Sequence, residues 1–460
     1  MALIKSISGI RGTIGGHPGK NLTPLDIVKF TAAFATSLAK DSDNRKIVIG
    51  RDGRISGSMV SDLCASTLVA SGFDLIDLGL TTTPTVEIAV KEEGAAGGII
   101  LTASHNPQEW NALKLLNSDG EFLNDEAGKK VLSIAESEKF DFVPVQKLGK
   151  YHADNSYIQK HIDAVINYEL VDVEAIKKAK FKIVVDPVNS SGAIYIPALL
   201  KALGVKDVIV INEDVNGKFE HNPEPLPKNL IGLSNEVVKQ KASLGIAIDP
   251  DVDRLCFVCE DGSMFGEEYT LVAVADYVLS KRKGNTVSNM SSTKSLKEIT
   301  HQHGGEYFPS PVGEVNVVHK MKEVNAVIGG EGNGGIIVPD FHYGRDALIG
   351  IGLFLSHLAH SHKSIKQLRG MYPDYFISKN KITLENNVNV KDIFQKIKDK
   401  YRNNPINTED GLKIEFGNDW VHLRTSNTEP ILRIYSESNF ETTAENIAKK
   451  IMKDIHEVMS

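Results

Sequence analysis

Ser104 stands in the run Leu101-Thr102-Ala103-Ser104-His105-Asn106-Pro107, between a stretch that reads as a buried strand, Gly97-Gly98-Ile99-Ile100-Leu101, and an Asn-Pro turn. A residue before proline is pushed out of the α region, so the chain cannot roll straight into a helix there. That places Ser104 on a loop at the carboxyl end of a strand, the edge where open α/β sheets bind ligands. A hydroxyl held beside the His105 imidazole and the Asn106 amide can act as a nucleophile or carry a phosphoryl group. For this stretch alone, an ordinary polar loop is the plain alternative.

A second loop, Asp249-Pro250-Asp251-Val252-Asp253-Arg254, also follows a buried-strand pattern, Gly245-Ile246-Ala247-Ile248. Carboxylates at i, i+2 and i+4 on a loop can turn their oxygens toward one hard cation. An EF-hand is excluded, because its sixth position must be glycine and is Arg254, and the following residues read as strand. The alternative is a solvated acidic turn. A third loop, Gly329-Gly330-Glu331-Gly332-Asn333-Gly334-Gly335, has glycines that permit positive φ and close ligand approach, with Glu331 and Asn333 able to hydrogen-bond vicinal hydroxyls. A fourth, Arg424-Thr425-Ser426-Asn427-Thr428-Glu429-Pro430 with Arg433 beyond it, combines guanidinium, hydroxyl and backbone N–H groups into a phosphate cradle. Ser8-Gly9-Ile10-Arg11-Gly12 and Gly50-Arg51-Asp52-Gly53-Arg54 are further cationic loops, ordinary when taken singly.

These loops need strands and helices to hold them. Over residues 1–150, Thr23-Pro24-Leu25-Asp26 opens a helix with an N-cap, a proline at the first position and an acid in the first turn. Lys46–Gly50 and Asp74–Leu78 are predicted strands, and Gly57–Ala70 and Pro84–Glu93 predicted helices. Residues 151–265 repeat the scheme, with strands at Phe181–Asp186, Asp207–Ile211 and Leu244–Asp249. Residues 266–370 do so again, with helices at Tyr269–Ser280, Gly313–Lys322 and Asp346–His360. Strand–helix alternation of this kind means βαβ units and a mainly parallel sheet. Residues 371–460 change character: a helix over Val390–Tyr401, a hairpin of Leu412–Phe416 and Trp420–Arg424, a strand Ile431–Tyr435, and an amphipathic helix Thr442–Val458. The expected fold is α/β, three α/β blocks with mixed, mainly parallel sheets and a smaller C-terminal α+β domain.

Composition bounds the function. The chain has 460 residues, 41% hydrophobic and 24% charged, with a net charge of −7. That is ordinary for a globular protein of several domains, and it lacks the basic footprint of a nucleic-acid binder. No apolar run approaches the roughly 20 residues needed to span a membrane, and no apolar h-region follows Met1-Ala2-Leu3-Ile4-Lys5. Three cysteines are too few for a disulfide framework. The Cys256-x-x-Cys259 pair falls in a strand pattern, where i and i+3 face opposite sides, so core packing is expected rather than redox work. A cytoplasmic location is the expectation.

Taken together and in this order, the four loops, with Asn111-Ala112-Leu113-Lys114 behind the serine, resemble the α-D-phosphohexomutase superfamily over essentially the whole chain. The resemblance implies three similar α/β domains and the smaller C-terminal α+β domain arranged around a central cleft, a phosphorylated Ser104, and one Mg2+ held by Asp249, Asp251, Asp253 and an oxygen of the phosphoserine. It implies general acid/base or transition-state roles for Lys114 and Arg11, with His105 beside the serine. Arg254, Glu331, Asn333, Arg424, Ser426, Asn427, Thr428 and Arg433 are the implied substrate-binding residues. The substrate would be a hexose or hexosamine phosphate, with a bisphosphorylated sugar priming the serine, in a monomer or homodimer that needs neither nucleic acid nor membrane. Three departures are visible. Gly335 stands where many members have His. Val312-Gly313-Glu314-Val315 lacks the Lys or Arg that often follows Val-Gly. Gly344-Arg345-Asp346 replaces the usual Gly-Asp-Gly. The form Gly330–Gly335 looks like archaeal-type phosphoglucosamine and phosphomannose mutases. The expected reaction is interconversion of 6-phospho and 1-phospho hexoses, with glucosamine phosphate ahead of mannose or glucose phosphate, because the Asn333 amide can both donate and accept near a C2 substituent. A metal-dependent phosphatase using Ser104 and a non-catalytic sugar-phosphate sensor are the rivals from other classes.

Overall fold

The computed structural model describes residues 3–6, 9–384, 389–425 and 431–459. The first sheet holds β1 (Ile4–Ser6), β2 (Gly9–Thr13), β3 (Lys46–Arg51), β4 (Asp74–Leu80), β5 (Gly97–Leu101), β6 (Trp110–Leu116) and β7 (Tyr151–Ala153), in the order β1-β2-β6-β5-β3-β4-β7. The second holds β8 (Lys182–Asp186), β9 (Asp207–Val210), β10 (Leu244–Ile248) and β11 (Leu255–Cys259), ordered β11-β10-β8-β9. The third holds β12 (Asn285–Asn289), β13 (Tyr307–Ser310), β14 (Ala326–Glu331) and β15 (Gly335–Ile337), ordered β13-β12-β14-β15.

The three sheets share one topology. Each is built on three parallel strands, and the third of them in sequence turns back into an antiparallel neighbour; the first sheet adds β7, parallel to β4, at one edge and β2 and β1 beyond β6 at the other. The turns are β5 to β6, β10 to β11 and β14 to β15. They carry Ser104, the Asp249–Asp253 triad and Asn333 respectively, so one topological position recurs with three different chemistries. The strands that deliver the first two turns, β5 and β10, are buried at every residue. Their apolar side chains divide between the two faces: Ile99 and Leu101 join one cluster and Ile100 another. Burying such a side chain is worth roughly 1.5–3 kcal/mol, which anchors the turn at the strand end.

Local chemistry explains the element ends. Thr23 caps the helix Pro24–Asp41 in a capping box with Asp26, which satisfies two of its orphan amide groups. Pro309 lies in β13, an edge strand, where a missing donor costs no ladder bond. Cys256 and Cys259 enter different apolar clusters and are free, buried thiols, as the strand alternation requires. One continuous core runs through the second and third blocks, including Val185, Phe257 and Phe354, with the Phe257 and Phe354 rings stacked at 3.7 Å. The aspartate loop and the glycine-rich loop therefore stand on a common packed base.

The C-terminal domain has a five-stranded antiparallel sheet: β16 (Phe376–Thr383), β17 (Ile406–Asn407), β18 (Leu412–Phe416), β19 (Asp419–Thr425) and β20 (Ile431–Ser438), ordered β16-β20-β19-β18-β17. This is two strands more than its sequence pattern suggests. β16 reads Phe-Ile-Ser-Lys-Asn-Lys-Ile-Thr, with only Ile382 buried, so its backbone ladder with β20, not an apolar face, holds it in place. The helix Glu441–Met459 packs across this sheet. Among the described residues no helix is long and apolar enough to cross a membrane.

Candidate active site

Ser104 adopts φ +48°, the left-handed region, which a non-glycine residue occupies only when its surroundings force it. Arg54 does much of the forcing. Its guanidinium, fully buried, donates to the carbonyls of Pro107 at 2.8 Å, Trp110 at 2.8 Å and Asn106 at 2.7 Å, and also to that of Ser104. Asp52 pairs with Arg54 Nε at 3.1 Å and accepts the Thr102 hydroxyl at 2.6 Å, and Thr102 Oγ1 in turn accepts the Ser104 amide at 2.9 Å. Asp52 and Arg54 thus wrap the serine loop. Their sequence gave only the sign of a cationic turn, since the partners are carbonyls about 50 residues away.

The serine meets the aspartate loop directly. Ser104 Oγ donates to Asp249 Oδ2 at 2.6 Å, and His105 Nδ1 lies 3.4 Å from the same hydroxyl. Val252, a β-branched residue at φ +63°, marks the tight turn that brings the three carboxylates together. Asp251 and Asp253 each commit one oxygen only, whereas both oxygens of Asp249 are engaged. Asp249 Oδ1 accepts the amides of Asp253 at 3.2 Å and Arg254 at 3.1 Å. Asp251 Oδ2 accepts Lys114 Nζ at 2.7 Å and Thr83 Oγ1 at 2.6 Å. Asp253 Oδ2 accepts Arg345 Nη2 at 2.6 Å and lies 3.5 Å from Lys114 Nζ. That leaves Asp251 Oδ1 and Asp253 Oδ1 buried with no hydrogen-bond partner. One oxygen from each of the three residues can be chosen so that all lie within 4.8 Å of one another. Buried carboxylate oxygens without donors are costly, and an all-oxygen set of this size suits a hard divalent cation. The residues present fit a metal.

Electrostatics agree with that fit. Burial, followed by the neighbouring Asp253 and Asp251 charges, pushes the Asp249 carboxyl well above its ordinary range. A cation would relieve this crowding. Burial opposes charge on Lys114, but Asp251 and Asp253 outweigh it and hold the ammonium above its usual value. Burial first, then Arg254 and Arg11, pushes the His105 imidazole well below its usual value, so the ring is neutral at pH 7. Burial and the nearby Arg254 charge also lower Arg11, whose Nη1 lies 3.4 Å from Asn106 Oδ1. Arg254 Nε is buried without a hydrogen-bond partner, 4.0 Å from both Asp249 Oδ2 and Asp253 Oδ1, while its Nη1 reaches Glu224 at 3.4 Å. Crowded cations and an unpaired donor around a serine hydroxyl make a receptor for a phosphoryl group.

The glycine-rich loop stands on the other side of the triad. Glu331 accepts Asn289 Nδ2 at 2.9 Å and the Gly313 amide at 3.1 Å on one oxygen, and Arg345 Nη1 at 2.8 Å and Asn333 Nδ2 at 3.5 Å on the other. Asn333 Oδ1 accepts the Gly335 amide at 3.2 Å. The Asn333 amide is therefore partly committed to its own loop. In the last domain Arg424 and Arg433 are directly opposed on β19 and β20, and Lys381 on β16 opposes Arg433 in turn. Like charges directly across a sheet repel. Asp410, 3.0 Å from Arg424 Nε, offsets part of that charge and accepts the Val312 amide of the third domain at 2.9 Å. Ser426, Asn427 and Thr428 lie outside the described residues.

The structure thus gathers Ser104, His105, Lys114, Arg11, the three aspartates and Arg254 around one point, with Glu331 reached through Arg345. Sequence reading passed over Thr83, whose hydroxyl and amide both bond Asp251 from a helix N-terminus, and the load carried by Arg345.

Comparison with known proteins follows the same division. The family described as phosphoglucomutase/phosphomannomutase matches in four parts: alpha/beta/alpha domain I over residues 3–142, domain II over 159–262, domain III over 266–375, and the C-terminal domain over 385–454. A Thermococcus kodakarensis phosphoglucomutase/phosphomannomutase is 36% identical over 455 residues, covering 97% of this chain and 98% of its own. A Sulfurisphaera tokodaii phosphoglucosamine/phosphogalactosamine mutase is 31% identical over 460 residues, covering 98% and 99%. The crystal structure of a phosphoglucomutase/phosphomannomutase family protein from Burkholderia thailandensis superposes with a TM-score of 0.85 at 25% identity, covering 99% of this chain and 97% of its own. With all four domain patterns matched in order and relatives aligned over nearly their whole lengths, the chain belongs to the α-D-phosphohexomutase superfamily and is a phosphohexomutase.

Proposed function

We propose that the chain interconverts 6-phospho and 1-phospho hexosamines through a phosphorylated Ser104 and a bisphosphorylated sugar, with Mg2+ at Asp249, Asp251 and Asp253. The observation that carries this is the 2.6 Å contact of Ser104 Oγ with Asp249, beside two buried carboxylate oxygens without donors. When bound, the cation would neutralise charge on the phosphoryl group in flight. Phosphoryl transfer otherwise depends on positioning and charge stabilisation, and the chain's own groups supply both. The blocks 1–150, 151–265, 266–370 and 371–460 are taken as the four domains, enclosing a cleft.

In the forward step the Ser104 Oγ–P bond breaks as a bond forms from phosphorus to the sugar's free hydroxyl oxygen. The serine oxygen gains a proton and the hydroxyl loses one. Lys114, held charged, is placed to donate. His105, held neutral, is placed to accept. Arg11 and Arg254 bind the equatorial oxygens. The bisphosphate then presents its other phosphate to Ser104, and the same sequence runs backward. Glu331 orients the sugar by accepting a hydroxyl in place of the long Asn333 contact. Arg424 and Arg433, with Ser426, Asn427 and Thr428, hold the phosphate that is not reacting.

The hexosamine preference is supported by the Asn333 amide beside Glu331 and by the name of the Sulfurisphaera relative. The Thermococcus relative at 36% identity favours a second reading, glucose and mannose phosphates. Side-by-side kcat/KM values on glucosamine, glucose and mannose 6-phosphates, each with the matching bisphosphate as primer, decide between them.

A further inference from the structure

Arg345 is held by three carboxylates beside the triad, and the mechanism above gives it no role. It is 8% exposed, and each of its three guanidinium nitrogens bonds a different carboxylate: Nε to Glu314 at 2.9 Å, Nη1 to Glu331 at 2.8 Å and Nη2 to Asp253 at 2.6 Å. Glu314 also accepts the Arg345 backbone amide at 3.3 Å, which fixes the base of the side chain as well as its tip. The guanidinium is planar and rigid, so the directions to its three partners are fixed relative to one another. Glu331 belongs to the loop proposed to read sugar hydroxyls, and Asp253 to the proposed cation set. A shift of either carboxylate must be transmitted to the other or break a buried charge-assisted bond.

The path for this side chain is reserved by Gly335. A Cβ there would stand 2.3 Å from Arg345 Cδ and 3.0 Å from Cγ. The glycine is therefore needed for space, and the arginine occupies the volume a side chain at 335 would fill.

We propose that Arg345 is a positioning residue that couples sugar-hydroxyl recognition at Glu331 to the cation ligand Asp253, and that Gly335 is its required partner. This rests on the mutase reading, and the test separates the two. Because binding coupling is reciprocal, the quantity to measure is the change in the Kd of glucosamine 6-phosphate between metal-free protein and protein saturated with Mn2+, with Mn2+ occupancy read by electron paramagnetic resonance. Wild type is expected to show a ratio of about fivefold or more, the lower end of typical coupling. In Arg345→Lys, whose single ammonium cannot span three carboxylates, the ratio is expected to fall toward one. Gly335→Ala keeps every charge and displaces the same side chain, so it should lose the ratio too, and it carries the test if Arg345→Lys does not fold. Circular dichroism establishes folding in each case. A merely structural role would weaken both ligands without altering the ratio, and that result overturns the inference. Wild-type protein that binds Mn2+ and isomerises hexose phosphates with no coupling ratio also overturns it alone. Wild type that neither binds Mn2+ nor isomerises overturns the mutase reading, and this inference with it.

Discussion

Ser104 Oγ donates to Asp249 Oδ2 at 2.6 Å, across 145 residues of sequence and two separate sheets. As an alcohol the serine is a good partner for that carboxylate. As a phosphoserine it would place further negative charge against three buried aspartates, a geometry that is tolerable only with a cation between them. Ser104→Ala is therefore expected to abolish turnover while lowering stability by about 1–3 kcal/mol, the cost of leaving one buried acceptor without its donor. Intact-mass analysis of the wild type should find a phosphate that maps to Ser104. Normal kcat in the alanine variant ends the phosphoserine mechanism.

Removal of divalent metal is expected to stop isomerisation, with Mg2+ restoring it. Asp251→Asn should need more Mg2+ for half-maximal rate, because it replaces a charged oxygen ligand, although its bond with Thr83 can persist in amide form. Activity that survives excess chelator rules out the metal.

The loops were legible because each carries its chemistry within a few consecutive residues: Thr102–Pro107, Asp249–Arg254 and Gly330–Gly335. Strand–helix alternation around them marked out the first three α/β blocks. Arg345 was not legible in its role, because its partners Asp253, Glu314 and Glu331 come from three segments that only the fold unites. Its sequence showed a departure from pattern, and a positive charge gathered among three carboxylates is the physical meaning of that departure. β16 escaped for a different reason. Its polar alternation shows no apolar face, and its stability comes from the ladder with β20.

Arg54 offers a test of how the serine loop is held. Arg54→Lys keeps the charge but cannot reach four carbonyls and Asp52 together. Unpaired buried groups cost about 1–3 kcal/mol each, so a loss of about 3 kcal/mol in unfolding free energy is expected, with kcat reduced because Ser104 relaxes from its left-handed conformation. Urea unfolding and steady-state rates read the two effects. Unchanged kcat would mean that the loop holds its shape without the guanidinium.

Glu268 makes stability depend on pH. Its carboxyl lies under the glycine-rich loop, where a Cβ at Gly332 would stand 2.0 Å from Oε2, and it accepts the Thr293 amide at 2.9 Å. Burial pushes it up to about 8, against the pull of Lys379 and with a smaller push from Glu267. The folded state therefore holds this proton more tightly than the unfolded chain, whose glutamates titrate near 4.3. Where the folded state binds more protons, stability falls as pH rises. The contribution is fully present below about pH 4.3 and lost as pH rises through about 8. Glu268→Gln should flatten the fall in Tm between pH 5 and 8.5. At roughly 1.4 kcal/mol per unit, the difference amounts to a few kcal/mol at the upper end. Parallel Tm curves for the two proteins would place the carboxyl's titration elsewhere.

Arg424 and Arg433 face each other across β19 and β20, with Lys381 next in the row. Asp410 offsets part of the charge on Arg424, and a phosphate dianion is a partner that opposed guanidinium groups suit. Either monophosphate would seat its phosphate here while its free hydroxyl faces Ser104, so the site must serve both orientations. Lysine preserves the charge of Arg424 but not its fork. Arg424→Lys is therefore expected to raise KM for both the 1-phosphate and the 6-phosphate. A lost charge-assisted bond is worth about 1.5–3 kcal/mol, which is about one to two decades in affinity. The kcat should fall much less, because Ser104, Lys114 and the triad are untouched. Priming of Ser104 by a bisphosphate should slow in proportion, since that reaction uses the same anchor. If KM stays at the wild-type value for both substrates, the distal phosphate is held elsewhere, and the row Lys381–Arg433–Arg424 serves only the domain's own charge balance.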